Sequence, residues 1–412
     1  MDDVIIVGAG PAGNNAALGL ALRGFAVTVI DSRRNIGEKL CTGIVGQECT
    51  RRFPVDPAFV YREASTAEVV APFTEPVRFE AATPQARIID RAAYVASFAH
   101  RAQDAGANYL LGQRVSKVTP QSGGVTVVTD EGCYQGRALI LAAGFGSPLT
   151  RQLELGTVTD YVTGAQAMVT TNGLSEVKVF LGHDVAPGFF SWLAPTSQNR
   201  ALAGLLVRRQ APAHLDRFIR RQRQEGTIED VVCEAACWGV PLRPLRQTYR
   251  ERILVVGDAA GQVKPTTGGG IYYALLASEI AAQTLAGALD ADDLSASRLS
   301  RYQRRWKGLL SQELEVGYSA RRLFEALNDQ QISSLVRQAG LNGIRRDLAN
   351  SPGMSFDWHS GMIGKVMGHP VLGGALRLIN PLLAHFAQPS DPTAALPTGA
   401  GNRADPLANL PA

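Results

Sequence analysis

Residues 4–31 read VIIVGAGPAGNNAALGLALRGFAVTVID, and the order of their parts decides the fold. Val4 to Val7 form a short, wholly apolar run, as expected of a parallel strand buried on both faces. Gly8, Gly10 and Gly13 follow at once in G-x-G-x-x-G spacing, then a helix-forming stretch stopped by Gly24, then a second apolar run, 26–30, ending in Asp31. Each part has a mechanical role. Gly8 makes the turn, Gly10 lets backbone approach a pyrophosphate, and Gly13, beside Ala12, lets the helix close on the strand. Asp31 is placed to accept from the ribose hydroxyls of an adenosine, and its charge disfavours a 2′-phosphate there, so FAD or NAD is expected over NADP.

The dinucleotide is decided far downstream, in residues 253–278, ILVVGDAAGQVKPTTGGGIYYALLAS. Another apolar strand ends in Gly257 and Asp258, and a loop through Pro265 leads to Gly268, Gly269 and Gly270 at the start of a new helix. This offers a carboxylate to a ribityl hydroxyl and a helix N-terminus to an electron-rich ring edge, the place where a reduced flavin carries negative charge.

These motifs together resemble the two FAD fingerprints of the para-hydroxybenzoate hydroxylase superfamily, and TTGGGI is especially similar to its geranylgeranyl reductase family. The resemblance runs from residue 1 to about 290. It makes the strand and helix start at Ile88-Ile89-Asp90-Arg91 the place where Arg91 contacts FAD, and residues 137–144 the strand returning to the nucleotide domain. Aromatic hydroxylases end that strand in an Asp-Gly pair linked to FAD and NADPH handling. Here Gly144-Phe145-Gly146 stands instead, which weakens the hydroxylase reading.

Between residues 160 and 210 the pattern changes to short alternating or apolar runs, expected to form an antiparallel sheet that supplies a substrate wall. Residues 190–195, FSWLAP, resemble the YxWxFP motif of geranylgeranyl reductases, with Gly204 as its later glycine. Phe190 replaces Tyr, Ala194 replaces Phe, and Leu206 stands where a second glycine is expected. Phe190 and Trp192 alternate along a strand and share a face, so they either fill a core or line an apolar channel; the resemblance places them, with Pro195, against a prenyl chain. Residues 38–46, EKLCTGIVG, pose a similar choice for Cys41. Free cysteine is commonly buried, but the family carries a Cys followed by Gly in this loop on the substrate side of the flavin. By that resemblance Cys41 is the catalytic candidate and Gly43 a substrate contact.

Composition sets the outer bounds. The 412 residues are 45% hydrophobic and 19% charged, with a formal net charge of +4, which is too small to argue for nucleic acid. Six lysines leave Arg with most of the positive charge. The five cysteines have no disulfide-scaffold spacing, which fits a reducing cytoplasm. Cys233 and Cys237 would share a helix face with no accompanying pair, so no metal site is expected. The chain runs from MDD straight into a strand, and no apolar run approaches the roughly 18 residues that span a bilayer, so any membrane contact is peripheral.

The expected architecture is α/β: a Rossmann-like FAD-binding domain from residues 1–65, 90–160 and 250–290, an inserted antiparallel β-sheet substrate domain from 66–89 and 161–249, a C-terminal helical region 291–386, and a disordered tail 387–412. Arg301, Arg304, Arg305, Arg321 and Arg322 are expected on solvated helix faces or near an anionic headgroup. Residues 361–386 are a glycine-interrupted apolar stretch suited to covering a pocket or entering a membrane interface. The resemblance implies a reductase that saturates carbon–carbon double bonds of a prenylated small molecule or lipid, with FAD reduced by an external donor: ferredoxin, NADPH or a quinol. The alternative within the superfamily is a flavin-dependent monooxygenase or halogenase.

Overall fold

In the computed structural model of the chain, which describes residues 1–38, 41–197, 199–341, 344 and 355–369, the opening stretch folds as its pattern dictates. Asp2–Val7 is a strand, Pro11–Ala21 a helix, and Val27–Asp31 a second strand parallel to the first. The apolar stretch past 369 and the tail 387–412 lie outside the described residues.

The chain divides into two units, each made of three segments. The first comprises Met1–Cys41, Asp90–Tyr161 and Gly239–Leu314; the second comprises Thr42–Ile89, Val162–Trp238 and the chain from Glu315 onward. Residues 42–65, expected with the nucleotide-binding part, therefore group with the second unit, and 291–314 group with the first.

The first unit is built on parallel strands in the order Ile253–Val255, Cys133–Leu141, Asp2–Val7, Val27–Asp31 and Asn108–Leu111. Val4, Ile5 and Ile6 are fully buried, as a strand covered on both faces must be. A hairpin, Val115–Gln121 with Gly124–Thr129, extends Cys133–Leu141 antiparallel. The helix Pro11–Ala21 lies against Ile271–Asp290, and buried Asn15 joins them: its Nδ2 donates to Leu275 O at 3.1 Å and to Ser278 Oγ at 3.0 Å. Buried Asn14 likewise donates to the carbonyls of Ala9 and Val95, each at 3.1 Å, and accepts from the Tyr109 hydroxyl. Asp90 caps the helix Arg91–Asp104 by accepting from the Ala93 N–H.

The second unit holds an eight-stranded sheet, ordered Ile228–Val231, Tyr161–Thr171, Arg200–Val207, Phe190–Pro195, Val177–Leu181, Thr66–Val70 and Val77–Glu80, with Ala236–Pro241 also pairing Tyr161–Thr171. The expectation of a purely antiparallel sheet needs one correction: Val177–Leu181 pairs parallel to Thr66–Val70. These two strands are joined through a long stretch of chain, and only hairpin-linked neighbours are forced to run antiparallel. The helix Ala211–Gln224 covers one face, burying Leu215 and Phe218 among Ala165, Leu193 and Leu205.

A second correction concerns Cys233 and Cys237, which do not share a helix. Cys237 lies in the strand Ala236–Pro241 and Cys233 in the loop before it, both exposed. Sheet pairing overrode the alanine-rich helical pattern there. Among the described residues no cluster suited to a metal ion occurs.

Residues 296–339 are helical as expected, in two helices, Ala296–Glu325 and Asp329–Ala339, the second opened by an Asn328–Gln331 capping box. Arg301, Arg304 and Arg322 are exposed. Arg321 departs from the expectation: it is buried, its guanidinium 3.8 Å from the ring centroid of Phe189.

Candidate flavin site and substrate wall

The nucleotide end of the site follows from the loop after the first strand. Gly8 has φ +111°, and a Cβ on it would stand 2.3 Å from the carbonyl oxygen of Ala142. A Cβ on Gly13 would stand 1.8 Å from Gly8 O, so the helix closes on the turn only with hydrogen at that position. Beside Gly10 the space is open, with nothing within 4 Å of a built Cβ. A phosphate group can therefore approach the backbone N–H groups at this helix start.

Asp31 secures the same loop. Its Oδ2 accepts from the Ala9 N–H at 2.7 Å and its Oδ1 from the Arg33 N–H at 2.8 Å. A carboxylate has about four acceptor sites, so capacity remains for ribose hydroxyls. Arg91, buried at the first turn of its helix, donates from Nη1 to Gly37 O at 3.1 Å and so ties the segment after Asp31 to that helix.

The distant glycine motif meets this loop in the folded unit. A Cβ on Gly257 would lie 3.2 Å from Cβ of Ala12, and one on Gly270 would lie 3.0 Å from Oδ1 of Asp258. Gly268 to Gly270 are held in a turn by backbone bonds from Gly268 N to Lys264 O and from Lys264 N to Gly269 O, directly ahead of Ile271–Asp290. The N–H groups at that helix start have no partner within the helix, which suits them to electron-rich ligand atoms.

A buried relay fixes the Gly257-Asp258 turn from below. The Gly257 N–H donates to Gln262 Oε1, Gln262 Nε2 to the Tyr302 hydroxyl, and Tyr302 to Val255 O, each at 2.8 Å. Burial pushes the Tyr302 phenol far above its ordinary range, so the hydroxyl keeps its proton and can serve both neighbours.

A cavity of ≈ 280 Å³ adjoins the turn, lined by Gly144, Phe145, Gly146, Pro148, Arg151 and Asp258 among others. Asp258 supplies its carboxylate. In the place where the hydroxylase pattern carries an acid, Phe145 instead contacts Tyr161, ring centroids 5.1 Å apart. The turn at Gly8 to Gly13, the carboxylates of Asp31 and Asp258 and the helix start after Gly270 form a donor and acceptor set that fits FAD.

The second unit carries the aromatic wall. Trp192 is 6% exposed and Phe190 half-buried, their ring centroids 5.8 Å apart. Strand alternation puts both on the sheet face opposite Leu193, which packs among the residues under helix Ala211–Gln224. Pro195 alternates with Trp192, so its position belongs to Leu193's face rather than theirs. Trp192 is opposite Gly204 in the ladder, and a Cβ on Gly204 would stand 2.4 Å from Cζ2 of the indole. The ring therefore lies flat on the glycine.

On the next strand Gly204 is opposite Gln166, which is fully buried. Gln166 Oε1 accepts from the Thr42 hydroxyl at 2.7 Å. Gly43, at φ +68°, turns the chain here, and its carbonyl accepts from the Ile89 N–H at 2.9 Å. Thus Thr42, the residue immediately after partly buried Cys41, is anchored on the face that carries Trp192.

Sequence reading did not pick out Asn14, Asn15, Gln262, Tyr302 or Gln166. The first two had a signal, since consecutive asparagines interrupt an otherwise apolar helix and need buried partners. Gln166 had a similar one as the lone large polar side chain in TGAQAMV.

Comparison with known proteins agrees with this geometry. A family profile described as "FAD dependent oxidoreductase" matches residues 42–275, and one described as "NAD(P)-binding Rossmann-like domain" matches 6–54. The digeranylgeranylglycerophospholipid reductase 2 of Methanopyrus kandleri is 28% identical over 366 residues, covering 84% of this chain and 92% of that protein. A geranylgeranyl bacteriochlorophyll reductase-like protein of Thermoplasma acidophilum shares the fold with a TM-score of 0.81 at 21% identity, covering 93% of this chain and 99% of the other. The halogenase PltM shares it with a TM-score of 0.66 at 15% identity, covering 92% and 86% respectively.

Proposed function

The chain belongs to the FAD dependent oxidoreductase family, and we propose that it saturates carbon–carbon double bonds of a geranylgeranyl or related prenyl chain carried on a lipid. The carrying observation is the aromatic face formed by half-buried Phe190 and buried Trp192, the indole resting on Gly204, in a chain similar over 84% of its length to a digeranylgeranylglycerophospholipid reductase. Chlorophyll, diphosphate and quinone carriers of the same prenyl group belong to the same substrate class. Halogenases share the fold, but Phe145 replaces the acid of the hydroxylase pattern, and the sequence likeness to the reductase is the greater.

An isolated alkene is electron-rich and resists hydride attack, so a proton must reach one carbon as hydride reaches the other. Bound reduced FAD supplies the hydride. The chain's own residues hold the prenyl group on the apolar wall, exclude water from it, and supply the proton. Cys41 Sγ carries that proton, one residue ahead of the Thr42 hydroxyl that Gln166 anchors. The electrons come from an external donor, ferredoxin, NADPH or a quinol. No described helix is long and apolar enough to cross a membrane; the lipid substrate is met by peripheral contact from the cytoplasmic side.

The test is to incubate dithionite-reduced enzyme anaerobically with a panel of geranylgeranyl compounds and follow product mass. Increments of about two hydrogens per saturated bond are expected. An enzyme that leaves every prenyl compound unchanged, yet hydroxylates or halogenates an aromatic in air, would overturn the reading.

A further inference from the structure

We propose that Gln166 Nε2 and Trp192 Nε1 form a two-donor subsite that grips an uncharged acceptor oxygen, an ether, ester carbonyl or quinone carbonyl, at the head of the prenyl chain. The inference rests on the prenyl reductase reading and deepens it by naming what the wall recognises besides hydrocarbon.

Three observations carry it. First, both N–H groups are buried, in residues 0% and 6% exposed, and neither has an acceptor among the described residues. Buried donors in native proteins are nearly always paired, so two orphans together point to a ligand atom.

Second, they stand together. One ladder row runs Val69, Val179, Trp192, Gly204, Gln166. The indole Nε1 is 2.9 Å from where a Cβ on Gly204 would be, so the ring's polar edge lies over the residue directly opposite Gln166. Side chains opposite each other in a ladder are close neighbours. Because Gly204 has no side chain, the indole can lie over it, and that placement turns the ring's N–H edge toward the strand that carries Gln166.

Third, the chemistry is that of neutral donors. Gln166 Oε1 is engaged by Thr42, so the amide is held with its NH₂ as the remaining function. The row contains no charged residue, and neither does the neighbouring row Ala194, Leu202, Met168. A phosphate or diphosphate would bring charge with no cation in these rows to meet it. A carbonyl or ether oxygen has the lone pairs to take two N–H groups and carries no such penalty.

An oxygen fixed there sets the register of the chain along Trp192 and Phe190, and so determines which double bond is reduced first. Selection by hydrogen bonding is also sharper than selection by a methylene, because an analogue lacking the oxygen leaves both donors unpaired.

The experiment uses FAD-bound, dithionite-reduced enzyme and two probes: geranylgeranyl acetate, and the C20 tetraene hydrocarbon that lacks its oxygens. The wild type is expected to prefer the acetate by about tenfold or more in kcat/KM. Gln166→Leu and Trp192→Phe are each expected to lower that preference about tenfold and to scatter the position of the first saturated bond. If Gln166→Leu does not accumulate as a flavoprotein, Trp192→Phe carries the test: it keeps an aromatic ring over Gly204 and Gln166 on Thr42, and removes the indole donor. A wild type that treats the probes alike, or variants that lower both in equal proportion, as loss of a buried water or of packing would, overturns the subsite. A wild type that reduces neither probe nor any other prenyl compound overturns the parent reading instead.

Discussion

The indole of Trp192 lies flat against Gly204, so that a single methyl group on the glycine would come within 2.4 Å of the ring. A ring held between strands cannot swing aside as a flexible chain end can, so Gly204→Ala must tilt Trp192 or spread the ladder. Overpacking of this kind costs about 1–3 kcal/mol. None of the residues assigned to FAD lies on the strand Arg200–Val207. The expected result is therefore flavin content near that of wild type, a lowered unfolding midpoint, and prenyl reduction down at least about tenfold, since a misplacement of about 1 Å is costly in a reacting pair. Equal kcat/KM in the two proteins would remove Trp192 from the substrate wall.

Cys41 precedes a residue whose hydroxyl is fixed at 2.7 Å to Gln166. If its thiol supplies the proton, Cys41→Ala should retain FAD and lose about 10²-fold or more in prenyl reduction, the usual worth of a positioned acid. Cys41→Ser keeps a hydrogen-bonding group and should fall between. Flavin absorbance together with single-turnover reoxidation by substrate separates cofactor loss from loss of chemistry. Wild-type rates in Cys41→Ala would return the residue to a packing role.

The difference between what sequence disclosed and what it hid follows the range of the interactions. Gly8, Gly13 and Asp31 act within 23 residues of one another, and their spacing alone states the turn, the helix and the terminal acid. The second motif was equally local, and Asp258 and Gly270 come together as the loop requires. The Gln166 anchor was hidden because its partner Thr42 lies 124 residues away and belongs to no shared pattern. Likewise Asp357 accepts from the N–H groups of Glu48 and Cys49, more than 300 residues earlier, a capping contact that only the folded unit creates. At Cys233 and Cys237 a local helical composition yielded to sheet pairing, the usual outcome where tertiary contacts compete with propensity. Pro195 was grouped with Trp192 by motif, while strand alternation separates their faces.

Tyr302 reaches the Gly257-Asp258 turn only through others. It accepts from Gln262, which in turn holds the Gly257 N–H, and it donates to Val255 O. Tyr302→Phe keeps the ring but leaves Gln262 Nε2 and the Val255 carbonyl without this hydroxyl in a fully buried setting. The expected destabilisation is about 1–3 kcal/mol, and the loosened Gly257-Asp258 turn should weaken FAD binding as well. Thermal unfolding at a series of added FAD concentrations checks both: stabilisation follows RT ln(1 + [FAD]/Kd), so the variant, with the larger Kd, should gain less from a given cofactor concentration than wild type. An unchanged midpoint and unchanged FAD affinity would mean that the relay supports nothing at the turn.

Glu325 offers a test in pH. Its carboxylate takes both Arg208 Nε at 2.8 Å and Arg208 Nη2 at 2.9 Å, and it lies 3.7 Å from buried Arg321. The Arg208 hydrogen bond foremost, with the charges of Arg321, Arg208 and Arg322, holds the carboxyl below its ordinary range against the opposing effect of burial. A depressed folded-state pKa contributes stability that is complete above the unfolded value, about 4.3 for Glu, and that is lost as pH falls through the folded value. Glu325→Gln should therefore cost about 1.5–3 kcal/mol at pH 7. The gap between the two proteins should narrow steadily below about pH 4. Denaturant midpoints at a series of pH values measure this, and a gap that stays constant down the series would assign Glu325 a packing role with no part in charge pairing.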